Sequence, residues 1–228
     1  MYRLAYKHND KVIFYFDTEG NKYVASGGSL AWRINNPGLV RSHSHFSRRN
    51  GSIGACGIYA IFSNPQQGRK ALSEWLHSKK YYHSTLWTLG EHYQPSNPEA
   101  FINKIALLTG ITVDEKIDSL SHLKLNLLIR AIEKYCGYCL TGDESFSLLP
   151  KITAKIENAK GQEAYLIGDT IVLSKKEAIG WILSHRLDGV IVHNSQGDVH
   201  LRSRPNHCIW NIRMYGPFCL LYKDKLIP

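Results

Sequence analysis

The sequence lacks several features that define common protein classes. No apolar run approaches the length of a membrane-spanning helix, and charged residues interrupt residues 1–16, so we expect neither membrane insertion nor a signal peptide. There is no internal repeat and no low-complexity segment, which argues against solenoid arrays and long disordered tails. The protein is expected to be made in the cytoplasm and to reach any site outside it by a separate delivery route.

Cysteines are also few. There are five, and an odd number argues against a disulfide framework. Cys136 and Cys139 have the CxxC spacing of zinc sites and redox dithiols, but a structural zinc site requires a second pair of ligands. His207 and Cys208 are the candidates for that pair, and nothing in the sequence places them near the first. We therefore expect no metal and no cofactor.

Acidic residues are scarce relative to basic ones. The chain has 19 Asp and Glu against 28 Lys and Arg, which gives a formal net charge of +9. Such an excess indicates a polyanionic partner, and nucleic acid, an anionic membrane and the acidic polymers of a bacterial cell wall all qualify. Hydrophobic residues make up 43% of the chain, which is enough for a packed core.

Hydrophobic periodicity predicts an α+β protein in two parts. Residues 1–139 are expected to be mainly helical, with a β-hairpin at 11–25, an irregular loop at 39–57 and helices at 65–82, 85–93, 97–110 and 120–135. Residues 140–228 are expected to form a small α+β domain of unknown role. Its predicted strands cover 152–156, 164–173, 187–193 and 199–204, and a capping box at Ser174 predicts a helix that ends near residue 185.

A succession of short motifs runs through the first part. In chain order these are residues 27–38 (GGSLAWRINNPG), 51–54 (GSIG), 59–62 (YAIF), 68–72 (GRKAL), 85–86 (TL), 92–95 (HYQP), 108–110 (LTG) and 131–132 (AI). The succession resembles a family of phage structural proteins and type VI secretion effectors with the pattern WRNNPGN, IG, FAIF, G..AL, TL, YAP, TG and AI. The resemblance covers residues 12–139.

The resemblance implies a function as well as a fold. Members of this family are regarded as lysozyme-like or lytic-transglycosylase-like enzymes, so residues 1–139 are expected to form a lysozyme-like domain that cleaves the glycan strands of peptidoglycan. The protein would then act as an antibacterial effector or phage lytic protein, in the periplasm or on the cell wall of a target bacterium. Its expected partners are peptidoglycan, an immunity protein and a secretion-system carrier, and nucleic acid is not expected.

Two positions depart from the family pattern. Leu39 follows the NPG motif where the family usually has Asn, and Gln66 lies where relatives often carry an acidic residue. Glutamine cannot donate a proton as a carboxylic acid does. The resemblance therefore implies either that the acid lies elsewhere or that this chain is an inactive form, which the substitution Gln66→Glu would activate.

Glycan cleavage requires a carboxylic acid that stays protonated near neutral pH. A hydrolase adds a second carboxylate, whereas a transglycosylase needs one acid because a hydroxyl of the sugar attacks. Besides the position of Gln66, the candidate catalytic residues are Glu91 and Glu74. Glu91 lies in an aromatic and polar setting where burial would raise its pKa, while Glu74 also fits an exposed helix face.

Aromatic and amide side chains supply the candidate substrate-binding residues. Trp32, Tyr59 and Tyr93 are expected to stack on sugar faces, although large aromatic residues also dominate protein cores. Asn35 and Asn36 are expected to bind acetamido groups, but Asn-Pro-Gly is also an ordinary turn sequence.

Three other functions remain open. Cys56 with His43, His45 or His92 would suit a Cys/His peptidoglycan amidase. A non-catalytic wall-binding or phage structural protein would explain Gln66. A nucleic-acid-binding protein is suggested by scattered arginines, namely Arg41, Arg48, Arg49, Arg202 and Arg204.

Overall fold

The computed structural model describes residues 1–94, 96–203 and 210–214. It is a mixed α+β structure in two compact units, Met1–Ser147 and Leu148–Pro228. The division falls later than the predicted boundary at residue 139. Residues 141–144 remain with the first unit because the Asp143 carboxylate accepts a hydrogen bond of 3.2 Å from the Gly28 amide.

The first unit contains more β-structure than its sequence predicts. Strands β1 (Tyr2–Asn9), β2 (Val12–Asp17) and β3 (Lys22–Ser26) are neighbours in an antiparallel sheet, and β6 (Ser145–Leu148) lies beside β3. The hairpin predicted at residues 11–25 is thus confirmed as β2 and β3. The first strand gave no signal because Ala5 is its one buried residue, so the strand lacks an alternating pattern of burial.

The irregular loop predicted at residues 39–57 is wrong. This segment contains the short helix α2 (His45–Arg49) and strand β4 (Ser52–Cys56), which pairs with β5 (Tyr59–Phe62). Ser44 caps the helix by accepting a hydrogen bond from the Ser47 amide. Capping and pairing therefore order a segment whose polar composition is typical of loops.

Helices form the rest of the first unit. They are α1 (Leu30–Arg33), α3 (Pro65–Leu76), α4 (Leu86–Tyr93), α5 (Pro98–Thr109) and α6 (His122–Tyr135), with a 3-10 turn at Ile117–Ser119. The predicted ends of α5 are confirmed because local chemistry sets them, whereas the helix predicted at residues 65–82 ends at Leu76. Asn97 caps α5, and Gly110 ends it in the left-handed conformation with φ of 69°.

Two of the sequence motifs interlock in the core. A Cβ atom at Gly68 on α3 would collide with the Asn35 carbonyl oxygen and approach Pro37, and one at Gly38 would lie 2.7 Å from the Leu72 side chain. Glycine at both positions therefore lets α3 pack directly on the turn at residues 35–38. Leu39 follows with φ of 48°, a conformation that Asn adopts far more readily than Leu.

The described residues of the second unit form two sheets and one helix. Strands β7 (Ile152–Asn158), β8 (Glu163–Ile167), β9 (Ile171–Ser174) and β12 (Trp210–Met214) form a sheet in the order β12-β7-β8-β9, and β10 (Val190–His193) pairs with β11 (Val199–Arg202). The single strand predicted at 164–173 is wrong because Gly168 turns the chain with φ of 56°. Helix α7 (Lys175–Leu183) has the predicted capping box at Ser174.

Candidate functional site

A cavity of about 930 Å³ opens in the first unit. Its walls come from the turn after the NPG motif, the start of α2, β5, the segment that follows α3, and the ends of α4 and α6. The lining residues include Gly38, Arg41, His45, Tyr59, Leu72, Trp75, Lys79, Lys80, Tyr81, Glu91, His92, Tyr93, Tyr135 and Cys136. Its volume lies within the range of typical small-molecule sites.

One wall of the cavity is aromatic. The Trp75 ring lies 4.2 Å from that of Tyr81 and 5.6 Å from that of Tyr93, measured between centroids. His92 adds an edge contact with Tyr81 at 5.5 Å. Because Trp75 and Tyr93 also pack against the hydrophobic core, this wall is held in place while part of each ring faces the cavity. Planar apolar faces of this kind can stack on sugar rings.

Tyr93 joins this wall to the turn that follows the NPG motif. Its hydroxyl donates a hydrogen bond to the Gly38 carbonyl oxygen and lies 2.9 Å from the Cys136 sulfur. Since the hydroxyl has a single proton, the Cys136 thiol is the donor of the second bond. Burial raises the pKa of Cys136 to about 11 and that of Tyr93 well above 10, so both groups stay protonated at neutral pH and hold the wall together.

Glu91 is the one carboxylate among the described residues that line the cavity. Its Oε1 atom accepts a hydrogen bond of 3.0 Å from the Trp87 indole N–H. The predicted burial of Glu91 is wrong, because the side chain is exposed near the end of α4. The indole bond still restricts the orientation of a carboxylate at the edge of the cavity.

Basic side chains dominate the polar part of the lining. They are Arg41, His45, Lys79, Lys80 and His92, all of them exposed. None of the five forms an ion pair with a described residue of the chain. Arg41, His45 and His92 were predicted separately for other functions, and the five side chains were not predicted as one site because they come from three separate segments.

The other two candidate catalytic positions, Gln66 and Glu74, do not line the cavity. Gln66 is exposed in the first turn of α3, and Glu74, farther along the same helix, is half-buried. Glu74 accepts a hydrogen bond of 2.9 Å from the Asn50 amide, and Arg49 lies 3.8 Å from the same oxygen. These contacts tie α3 to the end of α2, which is a structural role.

Of the predicted substrate-binding residues, Tyr59 and Tyr93 line the cavity, while Trp32, Asn35 and Asn36 do not. Trp32 packs on the hydrophobic cluster beneath the N-terminal sheet.

The buried Asn36 donates both of its amide protons, to the carbonyls of Val40 and Ala60, and accepts from the Val40 amide. Its side chain therefore builds the turn beside the cavity, and Asn35 likewise donates to the Phe62 carbonyl.

The cysteines do not form a nucleophilic or metal site in the described structure. Cys56 is buried in an apolar cluster, and this burial raises the pKa of its thiol, whereas a nucleophile requires the thiolate. Across residues 1–94, 96–203 and 210–214, no group of three His, Cys, Asp or Glu side chains could hold a metal ion. His207, Cys208 and Arg204 lie outside the described residues.

The sequence matches no protein-family model and no curated protein. The function therefore has to be inferred from the chain's own residues. In the described part of the chain, no helix combines the length and the apolar character needed to cross a bilayer.

Proposed function

We propose that the first unit binds glycan strands of peptidoglycan in the 930 Å³ cavity and cleaves them with Glu91 as the general acid. The observation that carries the proposal is the combination within one cavity of an aromatic wall and a single carboxylate held by the Trp87 indole. The aromatic wall would hold the sugar rings, and Glu91 would protonate the oxygen of the departing sugar.

The single carboxylate favours one of the two cleavage chemistries. A hydrolase uses a second carboxylate as nucleophile or base, and no second one lines the described part of this cavity. In a lytic transglycosylase, a hydroxyl of the same sugar attacks the anomeric carbon instead, and the carboxylate that has given its proton to the departing sugar takes the proton of this hydroxyl. The expected product therefore carries an internal anhydro ring and is lighter by one water than a hydrolysis product.

Two features of the fold support the family resemblance on which this proposal also draws. The turn at residues 35–38 and the G..AL segment need their glycines because they pack directly on each other. Leu39 adopts a positive φ that suits the family's Asn. By that resemblance, the protein would be delivered by a secretion system or phage to the wall of a target bacterium, and its producer would carry an immunity protein.

The substitution Glu91→Gln tests the catalytic assignment. Glutamine keeps the shape of the side chain but has no transferable proton, so cleavage of purified peptidoglycan sacculi should fall by about a hundred- to ten-thousand-fold. Mass spectrometry of the released fragments measures this loss and identifies anhydro products. The matched control is Glu99→Gln, an exposed glutamate at the start of α5 that does not line the cavity.

A second candidate function is wall binding without catalysis. It is favoured by the exposure of Glu91, because enzymes keep a catalytic carboxylic acid protonated by burying it. Pelleting with sacculi separates the two candidates. Binding without cleavage by the unmodified protein would support the second candidate, and cleavage that survives Glu91→Gln would remove Glu91 from the mechanism.

A further inference from the structure

We infer that the five basic side chains around the cavity select anionic strands, with Lys79, Lys80 and Arg41 binding the acidic groups that the sugar backbone carries. This inference rests on the proposed function and specifies the substrate further. It predicts discrimination between two glycans with similar sugar rings, one bearing acidic groups and one uncharged. We name the five side chains, Arg41, His45, Lys79, Lys80 and His92, the basic rim.

The basic rim forms no ion pair with a described residue of the chain. Five acidic side chains of the first unit are paired with basic side chains, namely Asp10 with Lys7, Glu74 with Arg49, Glu115 with Lys124, Asp118 with His83 and Glu133 with Arg69. No such pair involves the basic rim. Cations without partners repel one another when they share a cavity edge, and an anionic ligand relieves that repulsion.

The basic rim lies beside the aromatic wall of the cavity. The Lys80 ammonium lies 5.2 Å from the centroid of the Tyr81 ring, and Tyr81 in turn contacts Trp75 and His92. A sugar placed on these rings would thus bring its substituents within reach of Lys80 and of the neighbouring Lys79. The cavity thus places an apolar face beside positive charge. An uncharged glycan could stack on the rings but could not form ion pairs with the lysines.

The described lining of the cavity carries a net positive charge. Arg41, Lys79 and Lys80 are positive at neutral pH, and Glu91 is the one acid in the described lining. Arginine can bind a carboxylate or phosphate through two parallel hydrogen bonds, while lysine acts as a point charge. Two sources of anion fit this chemistry. Peptidoglycan carries carboxylates on its lactyl groups and stem peptides, and associated wall polymers carry phosphodiesters.

The test compares ligands of matched size by isothermal titration in the Glu91→Gln background, so that cleavage does not interfere. The probes are a disaccharide-tetrapeptide from peptidoglycan, an uncharged chitin oligosaccharide, a short glycerol-phosphate polymer and a single-stranded DNA oligonucleotide. The variant is Lys79→Gln/Lys80→Gln. Its control is Lys11→Gln/Lys104→Gln, which removes the same charge from exposed positions that do not line the cavity.

We expect the rim variant to lose about tenfold in affinity for one of the two anionic wall probes, the disaccharide-tetrapeptide or the glycerol-phosphate polymer, because two partly exposed ion pairs together supply about that much. Affinity for the chitin oligosaccharide should not change, and the control should bind every probe like the parent. A loss confined to the tetrapeptide probe identifies carboxylates as the recognised group, and a loss confined to the glycerol-phosphate probe identifies phosphodiesters.

Four results would overturn the inference. An equal loss for chitin and for the charged probes would mean that the two lysines maintain the shape of the cavity. An equal loss in the control variant would mean that net charge, and not the rim, attracts the ligand. Tight binding of DNA with no binding of any glycan would remove both this inference and the proposed function, whereas chitin binding without charge discrimination would remove this inference alone.

Discussion

In one of two concave regions of the first unit a basic side chain is ion-paired within the fold, and in the other none is paired with a described residue. The cavity described above has five basic side chains that form no ion pair with a described residue. A groove of about 760 Å³ along α6 is lined by Arg69, Leu123, Asn126, Leu127, Ile129, Arg130 and Glu133. There the Arg69 guanidinium pairs with Glu133 at 2.8 Å, and the Glu133 side chain is 10% exposed.

The difference shows which cations serve the fold and which remain available to a ligand. Arg69 lies on α3 and Glu133 on α6, so their ion pair connects two helices of the same core. Its removal should affect stability. The basic rim connects no two elements through ion pairs in the described structure, so its removal should affect binding. Substitutions can separate residues that serve the fold from residues that are available to a ligand, and they follow in decreasing order of expected effect.

The largest effect is expected for Asn36→Ala, beside the cavity. The substitution leaves the Val40 amide and the carbonyls of Val40 and Ala60 without their side-chain partner. The Val40 carbonyl keeps a hydrogen bond from the Ala60 amide, while a buried group left without any partner costs about 1–3 kcal/mol, of which relaxation of the turn recovers part. We expect a loss of about 3 kcal/mol in the free energy of unfolding, measured in urea, and Asn103→Ala on the exposed face of α5 serves as the control.

The result for Asn36 also decides between two interpretations of the residue. The sequence predicted a contact with substrate, which would make Asn36→Ala stable but weak in sacculus binding. The described hydrogen bonds predict the reverse, a destabilised protein whose folded fraction still binds. Unchanged stability together with lost binding would restore the prediction from the sequence.

A smaller effect is expected for Arg69→Met, which removes the cation of the groove and keeps much of the side chain's apolar length. The Glu133 carboxylate would then remain almost buried without its charged partner, at a cost of about 2 kcal/mol in unfolding free energy. This figure is below that of a fully buried pair because Arg69 is itself half-exposed. Thermal and urea unfolding measure the change.

Lys79→Met provides the comparison for Arg69→Met. It removes a rim cation without a described partner, so its unfolding free energy should change by less than about 0.5 kcal/mol. An equal loss of stability in the two variants would contradict the distinction between paired and unpaired cations. Glu133→Gln should cost less than Arg69→Met, since the exposed part of Arg69 can move toward water.

The sequence predicted best those elements whose ends depend on adjacent residues. Asn97 with Pro98 started α5, Gly110 ended it, and Ser174 with Glu177 started α7, each through contacts within one turn. Strand β1 and the pair of β4 with β5 were missed. Strand formation depends on pairing with residues that are distant in sequence, and the polar composition of residues 39–57 gave no alternating pattern.

The site followed the same rule. Glu91, Tyr59 and Tyr93 were candidates because carboxylates and aromatic residues carry recognisable chemistry one residue at a time. The basic rim was not predicted as a group, because Arg41 and Lys79 meet at one cavity only after α2, β4, β5 and α3 have folded between them. Asn36 was predicted as a sugar-binding residue, but it builds a buried turn. The sequence could not separate these two roles, because both use the same asparagine side chain.

No change in sacculus cleavage is expected for Gln66→Glu, a substitution that tests the cavity against the family resemblance. The resemblance places an acid at this position and predicts that the substitution creates cleavage. The described structure places Gln66 exposed, next to Pro65 in the first turn of α3 and outside the cavity lining. A glutamate there would interact with the helix dipole and stabilise the protein by about 0.3–1 kcal/mol. It would have no sugar within reach if strands bind in the cavity, so sacculus cleavage should not change.

The double variant Gln66→Glu/Glu91→Gln sharpens the comparison, because it removes the carboxylate from the cavity and supplies one on α3. Loss of cleavage in the double variant equal to that in Glu91→Gln would place the chemistry in the cavity. Cleavage restored by the new glutamate would place it at the start of α3, and the basic rim would then contact a part of the strand distant from the broken bond.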